Sequence, residues 1–324
     1  MKIRHIDTRP TAVGQAHEAL GLPPVEQVID RARMHPLATV ASWFIGFTLF
    51  GLATLLLVRG LPLSDPAAAL AMVIEVITSE EFLKAAAVGF IAQSIDGALG
   101  MAYGISATTF LLGTGASPAV ASASVHIAEI FTTGLSGLAH LRLGNVDRKL
   151  MLRLLLPGVI GGVLGALVVT QLDGSALKPW ISGYLLLMGL YVLTKAWRHR
   201  RTPPREPRHV AKLALFGGFV DAAGGGGWGP VVTTSLVGSG QDPRRTIGSV
   251  NFAEFFIAIA SAGAFVLFID AAPWATVAGL VAGGMFATPL AALLCRALPA
   301  RALLVLVGTL ISALSVYNLS RALG

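Results

Sequence analysis

The sequence contains few charged residues for its length. Asp, Glu, Lys and Arg make up 13% of the 324 residues, whereas soluble domains carry about 25%. Hydrophobic residues account for 54%, and a transmembrane helix needs about 20 consecutive apolar residues. Such runs occupy residues 37–58, 154–170, 179–194, 271–295 and 302–319. The composition therefore predicts a multi-pass membrane protein whose main partner is the lipid bilayer.

Cysteine and the common enzyme motifs are also scarce. The single cysteine, Cys295, excludes a disulfide framework and a multi-thiolate metal site. HExxH, GxSxG and GxxxxGK[ST] motifs do not occur. The formal charge of +7 could attract nucleic acid, but the basic residues cluster beside the ends of apolar runs, as membrane topology selection produces. We therefore expect no enzymatic activity, no cofactor and no nucleic-acid partner.

The basic clusters predict the orientation in the membrane. Short cytoplasmic loops carry an excess of Lys and Arg, and the loops between the clusters are poor in both. This pattern predicts an inner-membrane protein with a cytoplasmic N-terminal segment (1–36) and an uncleaved first transmembrane helix (37–58). The oligomeric state is left open, with a homodimer as one option. The basic clusters lie at 31–36, 142–153, 195–212, 244–245 and 296–301.

An internal repeat divides the chain. Residues 113–131 align without gaps to residues 238–256, with eight of nineteen positions identical, where chance gives about one or two. Upstream, Gly89-Phe90-Ile91 resembles Gly218-Phe219-Val220. This second match has a different offset, so the two repeats would differ in length within the glycine-rich stretch between the two matches. The sequence thus predicts a first transport repeat at 82–197 and a second at 210–322. A basic cytoplasmic linker, 198–209, joins the two repeats.

The orientation rule gives each repeat an odd number of crossings. Residue 81 and the start of the helix 118–141 both fall on the outer side, so 82–113 must enter and leave by the same face. We therefore predict an all-α membrane protein with two inverted repeats. Each repeat is a re-entrant helical hairpin plus three transmembrane helices, and one extra transmembrane helix precedes them. The alternative, a kinked helix that crosses fully at 82–113, would make the two halves parallel.

Two glutamates are the first candidate functional residues. Glu129 and Glu254 occupy matching repeat positions in otherwise apolar helices. Because a carboxylate in the membrane is costly, such residues face a partner or a wet cavity. We predict that both are proton-coupling groups, and the alternative is a hydrogen bond to a neighbouring helix.

Polar residues accompany both glutamates one turn earlier. His126 and Asn251 precede them by three residues, on the same helical face, and Ser124 and Ser249 lie two residues before these. They could donate hydrogen bonds to an anion or to a neighbouring helix. His126 with Glu129 also permits a divalent-metal or other cation transporter, although we predict no metal site.

Two glycine-rich stretches predict breaks in the helices. Gly224 to Gly227, followed by Trp228, cannot form a stable helix. Irregular backbone at membrane depth is tolerated only inside protein or beside a cavity, so free amides there could bind an anion, although glycine also serves close helix packing. Asp96 and Asp221 lie at the hairpin tips, at positions that this alignment does not make equivalent. The predicted substrate-binding residues are Gly97, Gly100, Gly104, Ser124, His126, Gly225, Gly226, Gly227, Trp228, Ser249 and Asn251.

These features resemble the TauE/SafE family of membrane transporters, often described as sulfite exporters. The resemblance covers residues 82–322 and includes the glycine-rich hairpin before a proline-containing turn, its repetition, and the loop GNVDRKL at 144–150. Family members typically carry a dense glycine run in the first half, whereas this sequence has it only at 224–227. The resemblance implies secondary transport of a small sulfur-containing anion, either sulfite or an organosulfonate.

Overall fold

The structure is a computed structural model that describes residues 46, 62, 64–99, 101–142, 144–197, 209–239, 241–269, 273–297 and 300–323. The N-terminal segment, the first transmembrane helix apart from Gly46, and linker residues 198–208 lie outside the described residues. The described residues form helices and connecting turns without any β-strand. The prediction of an all-α protein is therefore confirmed.

Eleven α-helices and one π-helical turn follow one another in the described part of the chain. They are α1 (Pro66–Thr78), α2 (Glu80–Leu99), α3 (Tyr103–Gly113), α4 (Pro118–Arg142), α5 (Arg148–Gln171), α6 (Gly174–Trp197), α7 (Val210–Gly224), the π-helical turn (Gly229–Thr233), α8 (Thr234–Gly238), α9 (Pro243–Val266), α10 (Trp274–Ala297) and α11 (Ala300–Leu323).

Several helices have the length and composition of membrane spans. Helix α5 has 24 residues, which corresponds to about 36 Å at 1.5 Å per residue, longer than the hydrocarbon core of about 30 Å. Its start is fixed by Asp147, whose carboxylate accepts hydrogen bonds from the backbone N–H groups of Lys149 and Leu150. Within the described residues, four segments could cross a membrane by length and hydropathy: Arg148–Gln171, Gly174–Lys195, Arg245–Val266 and Leu304–Leu323.

Glycine-rich sequence interrupts the helices at two places. Helix α2 ends at Leu99 and α3 begins at Tyr103, with Ala102 between them at a φ of 108°. Helix α7 ends at Gly224, and Gly225 and Gly226 follow with φ values of 69° and 145°. Positive φ is disfavoured for residues that carry a β-carbon, so the glycines at 225 and 226 allow the backbone to leave the helix. The breaks lie within the two stretches that the sequence singles out.

Small residues let two pairs of helices approach closely. Helix α5 packs along α7, and a β-carbon on Gly161 would collide with the carbonyl oxygen of Leu215. Helix α10 packs along α2 in the same manner, with Gly283 against the carbonyl oxygen of Ala86. Glycine at such contacts brings membrane helices within backbone contact distance. The glycines outside the breaks therefore serve helix packing.

Helices α4 and α9 pack on each other and form the centre of the described structure. Two-thirds (67%) of the apolar segment of α9 is buried, against 28% for α6. Large apolar side chains on the peripheral helices are exposed, including Trp180 of α6 and Phe286 of α10. Since water disfavours such a surface, these faces are suited to contact lipid.

The close contact between α2 and α10 predicts a selective loss of stability. We expect Gly283→Ala to lower the free energy of unfolding by about 1–3 kcal/mol, because the added methyl group must push the two backbones apart. Thermal unfolding in detergent micelles measures this change. Gly263→Ala in α9 is the control, since a β-carbon there meets nothing within 4 Å. Equal stability of Gly283→Ala and the wild type would contradict this account of the packing.

Candidate functional site

The two helix breaks contact each other in the buried centre. A β-carbon on Gly104 would lie 2.8 Å from the Cα atom of Gly226, and one on Gly226 would collide with the backbone of Ile105. The hydroxyl of Thr108 in α3 donates a hydrogen bond to the carbonyl oxygen of Gly225. Only glycine allows this backbone-to-backbone approach at a positive φ. The breaks are therefore one structural unit made from both repeats.

The carboxylate of Asp221 binds backbone N–H groups of the second break. Its Oδ1 atom accepts hydrogen bonds from the N–H groups of Gly227, at 2.7 Å, and Trp228, at 2.9 Å. The N–H group of Gly226 donates to the carbonyl oxygen of the same aspartate at 2.8 Å. Asp221 is 2% exposed. The amides that the sequence predicts to be free for an anion are thus already bound to an anionic side chain.

The first break has a related but looser arrangement. The Oδ1 atom of Asp96 lies 3.5 Å from the N–H donor of Tyr103, seven residues later. Asp221 and Trp228 are also separated by seven residues. Asp96 and Asp221 therefore occupy corresponding places in the two repeats.

This correspondence corrects the alignment given above, which does not make the two aspartates equivalent. A constant offset of 125 residues runs without a gap from Asp96 to Phe131. The length difference between the repeats must lie earlier, within α2 and α7, and not in the glycine-rich stretch. The additional identical pairs are Asp96/Asp221, Ala98/Ala223, Gly100/Gly225, Gly104/Gly229, Thr108/Thr233, Thr109/Thr234 and Leu111/Leu236.

His126 lies beside Asp221. Its Nε2 atom is 3.3 Å from Oδ2 of Asp221, and its Nδ1 atom is 2.8 Å from the carbonyl oxygen of Ser122. A carbonyl oxygen can only accept, so Nδ1 carries a hydrogen and donates it. The hydroxyl of Ser122 donates in turn to the carbonyl oxygen of Ala222 at 2.6 Å, which links α4 to the end of α7. The histidine ring is thereby held against the aspartate.

Glu129 completes a compact cluster with these two residues. Ligating atoms of His126, Glu129 and Asp221 all lie within 4.8 Å of one another, and all three residues are buried. Glu129 Oε2 has no hydrogen-bond partner within the described structure, and His126 Nε2 has no polar contact there apart from the one with Asp221. Such a cluster has the donor types for a divalent cation, and equally those for a proton exchanged between neighbouring groups. The sequence identified His126 and Glu129, but not the third member.

Four acidic side chains meet in this region. Glu254 of α9 is half-buried and interacts electrostatically with Glu129, Asp96 and Asp221. Glu129 interacts with the same two aspartates and with His126. Like charges that share a buried region repel strongly because screening is weak. The centre can therefore be stable only if protons, His126 or bound cations offset part of this negative charge.

The predicted polar donors are mostly engaged with the protein itself. The hydroxyl of Ser124 donates to the carbonyl oxygen of Val120 at 2.7 Å. Ser249 donates to the carbonyl oxygen of Arg245 at 2.6 Å and accepts from the N–H group of Asp147 at 2.7 Å. The amide nitrogen of Asn251 donates to Ser136 at 3.0 Å, and its Oδ1 atom has no partner within the described residues. Asn251 is the member of this set that retains an unused polar atom.

The remaining predicted site residues are Trp228, Gly97 and Gly100. The indole of Trp228 is fully buried; its N–H group donates to the carbonyl oxygen of Val250 at 3.3 Å, and a β-carbon on Gly158 would lie 2.9 Å from the ring. Trp228 thus contributes its backbone amide to the break and its side chain to packing. Gly97 lies in α2, and Gly100 lies outside the described residues.

Tyr184 of α6 is a contact that the sequence does not single out. Its hydroxyl donates to the carbonyl oxygen of Gly226 at 3.0 Å. A β-carbon added to Gly227 would lie 2.5 Å from the same hydroxyl oxygen. Nothing in the spacing of α6 relates it to the glycine run, so no sequence signal marked it.

Comparisons with known proteins relate the sequence to membrane transporters. The sequence model of the family described as "Sulfite exporter TauE/SafE" matches residues 85–318. A Bacillus subtilis (strain 168) protein named "Probable membrane transporter protein YtnM" is 44% identical over 231 residues, which cover 68% of this chain and 77% of that protein. No solved structure matches.

The contact between the breaks predicts a position-specific effect of a single methyl group. We expect Gly225→Ala to lower the free energy of unfolding by about 1–3 kcal/mol more than Gly144→Ala does, because only the former collides with Thr108. The two glycines have nearly the same φ, 69° and 71°, so backbone strain cancels in the comparison. Unfolding of both variants in detergent gives the difference. Equal losses would show that the breaks do not depend on this contact.

Proposed function

Because the chain belongs to the sulfite exporter TauE/SafE family, we propose that this membrane transporter moves a small sulfur-containing anion, sulfite or an organosulfonate, across the inner membrane by secondary active transport. One observation carries the proposal. Two backbone amides in the buried centre converge on a single carboxylate oxygen, that of Asp221. Backbone amides arranged in this way are an established means of binding anions without cationic side chains.

In this proposal the two repeats, 82–197 and 210–322, are inverted relative to each other. Reciprocal packing supports a two-fold relation between the repeats. Exchange of the repeats converts the pair α2 and α10 into the pair α7 and α5, and both pairs pack extensively. The same exchange pairs α4 with α9 and α6 with α11, and these helices also pack on each other. A two-fold axis between the repeats produces such reciprocity. The inverted sense comes from the odd number of crossings predicted for each repeat. Inverted repeats typically place the substrate at the midplane between interrupted helices.

The two helix breaks would then be the tips of re-entrant hairpins. Residues 82–113 and 210–240 each enter and leave by one face, from opposite sides of the membrane, with the N-terminus in the cytoplasm as the basic clusters indicate. Substrate binds where the breaks meet, between the Gly97–Gly104 segment and the Gly225–Trp228 segment. His126 and Asn251 act as polar partners, and Ser124 and Ser249 fix the surrounding backbone.

Glu129 and Glu254 serve as the proton-coupling groups of this transporter. Glu129 is buried and Glu254 is half-buried, and both interact electrostatically with Asp96 and Asp221. This supports the role, because an additional anion can enter such a region only if charge is offset. A proton taken up by one glutamate offsets one negative charge. Anion and proton movement are thereby coupled.

A cation transporter is the second candidate function. The compact cluster of His126, Glu129 and Asp221 favours it, since imidazole nitrogen and carboxylate oxygen are common ligands of zinc and related ions. In that case the acidic centre is the substrate site itself, and the amides bound to Asp221 orient a ligand.

A thermal-stability screen separates the two candidates. We expect at least one of sulfite, thiosulfate, taurine and sulfoacetate to raise the unfolding midpoint of the purified protein, because a ligand at 100 times its dissociation constant stabilises by about 2.7 kcal/mol. Zn²⁺ and Mn²⁺ form the comparison arm. Stabilisation by a divalent cation and by none of the four anions would instead support cation transport.

The coupling role predicts a change in pH dependence. We expect Glu129→Gln and Glu254→Gln to abolish pH-dependent flux in proteoliposomes while folding is retained, because glutamine keeps the shape but cannot exchange a proton. Glu75→Gln, at an exposed position on α1, controls for the loss of one acidic group. Wild-type transport by both central variants at every pH would refute the role.

A further inference from the structure

We propose that the Asp221 carboxylate is a built-in competitor of the transported anion: it occupies the backbone-amide position that an oxygen of the substrate takes, and bound substrate displaces it. This inference rests on the proposed function and identifies the atoms of its binding step. It assigns the Gly227 and Trp228 amides as the anion contacts and gives Asp221 the role of the group exchanged for the substrate.

The contact with Asp221 is of the kind that an oxyanion makes. A single carboxylate oxygen accepts two neighbouring N–H groups at 2.7 and 2.9 Å, within the range of charge-assisted hydrogen bonds. Sulfite and sulfonate oxygens are acceptors of similar size and charge. Any group of this type that reaches the two amides must compete with the side chain already there.

The placement of Asp221 differs from that of the helix-capping aspartates in the same chain. Asp65 and Asp147 accept N–H groups two and three residues ahead and mark the starts of α1 and α5. Asp221 accepts N–H groups six and seven residues ahead, across the break, from the last turn of its own helix. A carboxylate there opposes the helix dipole. The amide contacts therefore stabilise a carboxylate that its own helix does not.

Acidic groups lie close to Asp221 in both positions of its carboxylate. Glu129 and Glu254 interact electrostatically with Asp221, and both interactions are repulsive when the partners are ionised. Because Glu129 also lies within 4.8 Å of His126, rotation of Asp221 toward the imidazole does not relieve this repulsion, and a proton or a cation must offset it.

His126 is a partner for the carboxylate after its displacement from the amides. The second oxygen of Asp221, Oδ2, already lies at ion-pair distance, 3.3 Å, from Nε2 of His126, and Nε2 has no other polar partner within the described residues. His126 is fixed through Nδ1 to Ser122, and Ser122 is bonded to Ala222, the residue after Asp221. In this proposal a side-chain rotation of Asp221 breaks the two amide bonds while the carboxylate stays beside the imidazole. The return of the carboxylate then releases the substrate.

Asp96 of the first repeat does not offer the same exchange. Among the described residues it reaches a single amide, that of Tyr103, at 3.5 Å, and Asn251 replaces histidine at the position equivalent to His126. The exchange is therefore assigned to the second break alone.

The experiment compares anion affinity in the wild type and in Asp221→Asn by isothermal titration with sulfite, thiosulfate, taurine and sulfoacetate. Asparagine retains an oxygen that can accept both N–H groups, but the bonds lose their charge assistance, which makes charged pairs about twice as strong as neutral ones. We expect the dissociation constant of the bound anion to fall by about tenfold. Asp65→Asn is the matched control: this aspartate also accepts two amides, those of Ala67 and Ala68, at an exposed position, and its removal should leave the affinity unchanged.

The outcomes separate this inference from the proposed function. Equal or weaker binding by Asp221→Asn, with clear binding by the wild type, overturns the exchange and leaves anion transport intact. Binding by Asp221→Asn alone supports the exchange strongly. Absence of binding in both proteins, for all four anions, overturns both proposals.

A second measurement covers the case in which Asp221→Asn does not fold. Infrared difference spectra of the wild type, labelled with ¹³C in its aspartate side-chain carboxyl groups, compare the anion-free and anion-bound protein. Loss of the two amide donors shifts the carboxylate band of Asp221. An unchanged carboxylate region at saturating anion overturns the inference.

Discussion

Backbone polar groups that leave a helix inside an apolar protein must find partners there, and the centre of this structure depends on that constraint. An unpaired N–H or C=O group in hydrocarbon costs several kcal/mol. At the second break, Asp221 binds the N–H groups of Gly227 and Trp228, while Thr108 and Tyr184 bind the carbonyl oxygens of Gly225 and Gly226. These partners come from three different helices. The hydrogen bonds that the backbone of the break requires therefore also fix the positions of α3, α6 and α7.

The amino-acid pattern was sufficient to predict the features with a local cause. Helix breaks follow from the absence of β-carbons at 224–227, and the proximity of His126 and Glu129 follows from one turn of helix. The equivalence of Asp96 and Asp221 was missed because a three-residue match, Gly89-Phe90-Ile91 with Gly218-Phe219-Val220, suggested a different register. Extension of the gap-free alignment back to Asp96 adds seven identical pairs, so the sequence itself contains the correct register, and the hydrogen bonds across each break agree with it. The engagement of Ser124 and Ser249 with carbonyl oxygens four residues earlier is a choice of rotamer that their positions leave open.

The two repeats agree in packing more closely than in chemistry. Helix pairs and close-packing glycines recur in both, because the shape of the interface requires small residues at particular places. The polar centre recurs only in part: the acidic pairs Asp96/Asp221 and Glu129/Glu254 match, whereas His126 and Ser122 of the first repeat correspond to Asn251 and Ile247 of the second. Shape constrains both repeats equally, whereas a single cluster of titratable groups is enough for one substrate and one coupling step.

An acidic centre is compatible with an anionic substrate if the total buried charge is the same before and after the proposed exchange. The N–H groups of Gly227 and Trp228 bind one negative charge before the exchange, that of Asp221, and one afterwards, that of the substrate. The number of negative charges bound to these N–H groups is therefore unchanged. The buried region as a whole, however, gains one negative charge, and weak screening makes that gain costly. Displaced Asp221 stays beside His126, and Glu129 lies within 4.8 Å of both. One proton taken up by this group of three keeps the buried charge constant, so that anion entry and proton uptake become a single event.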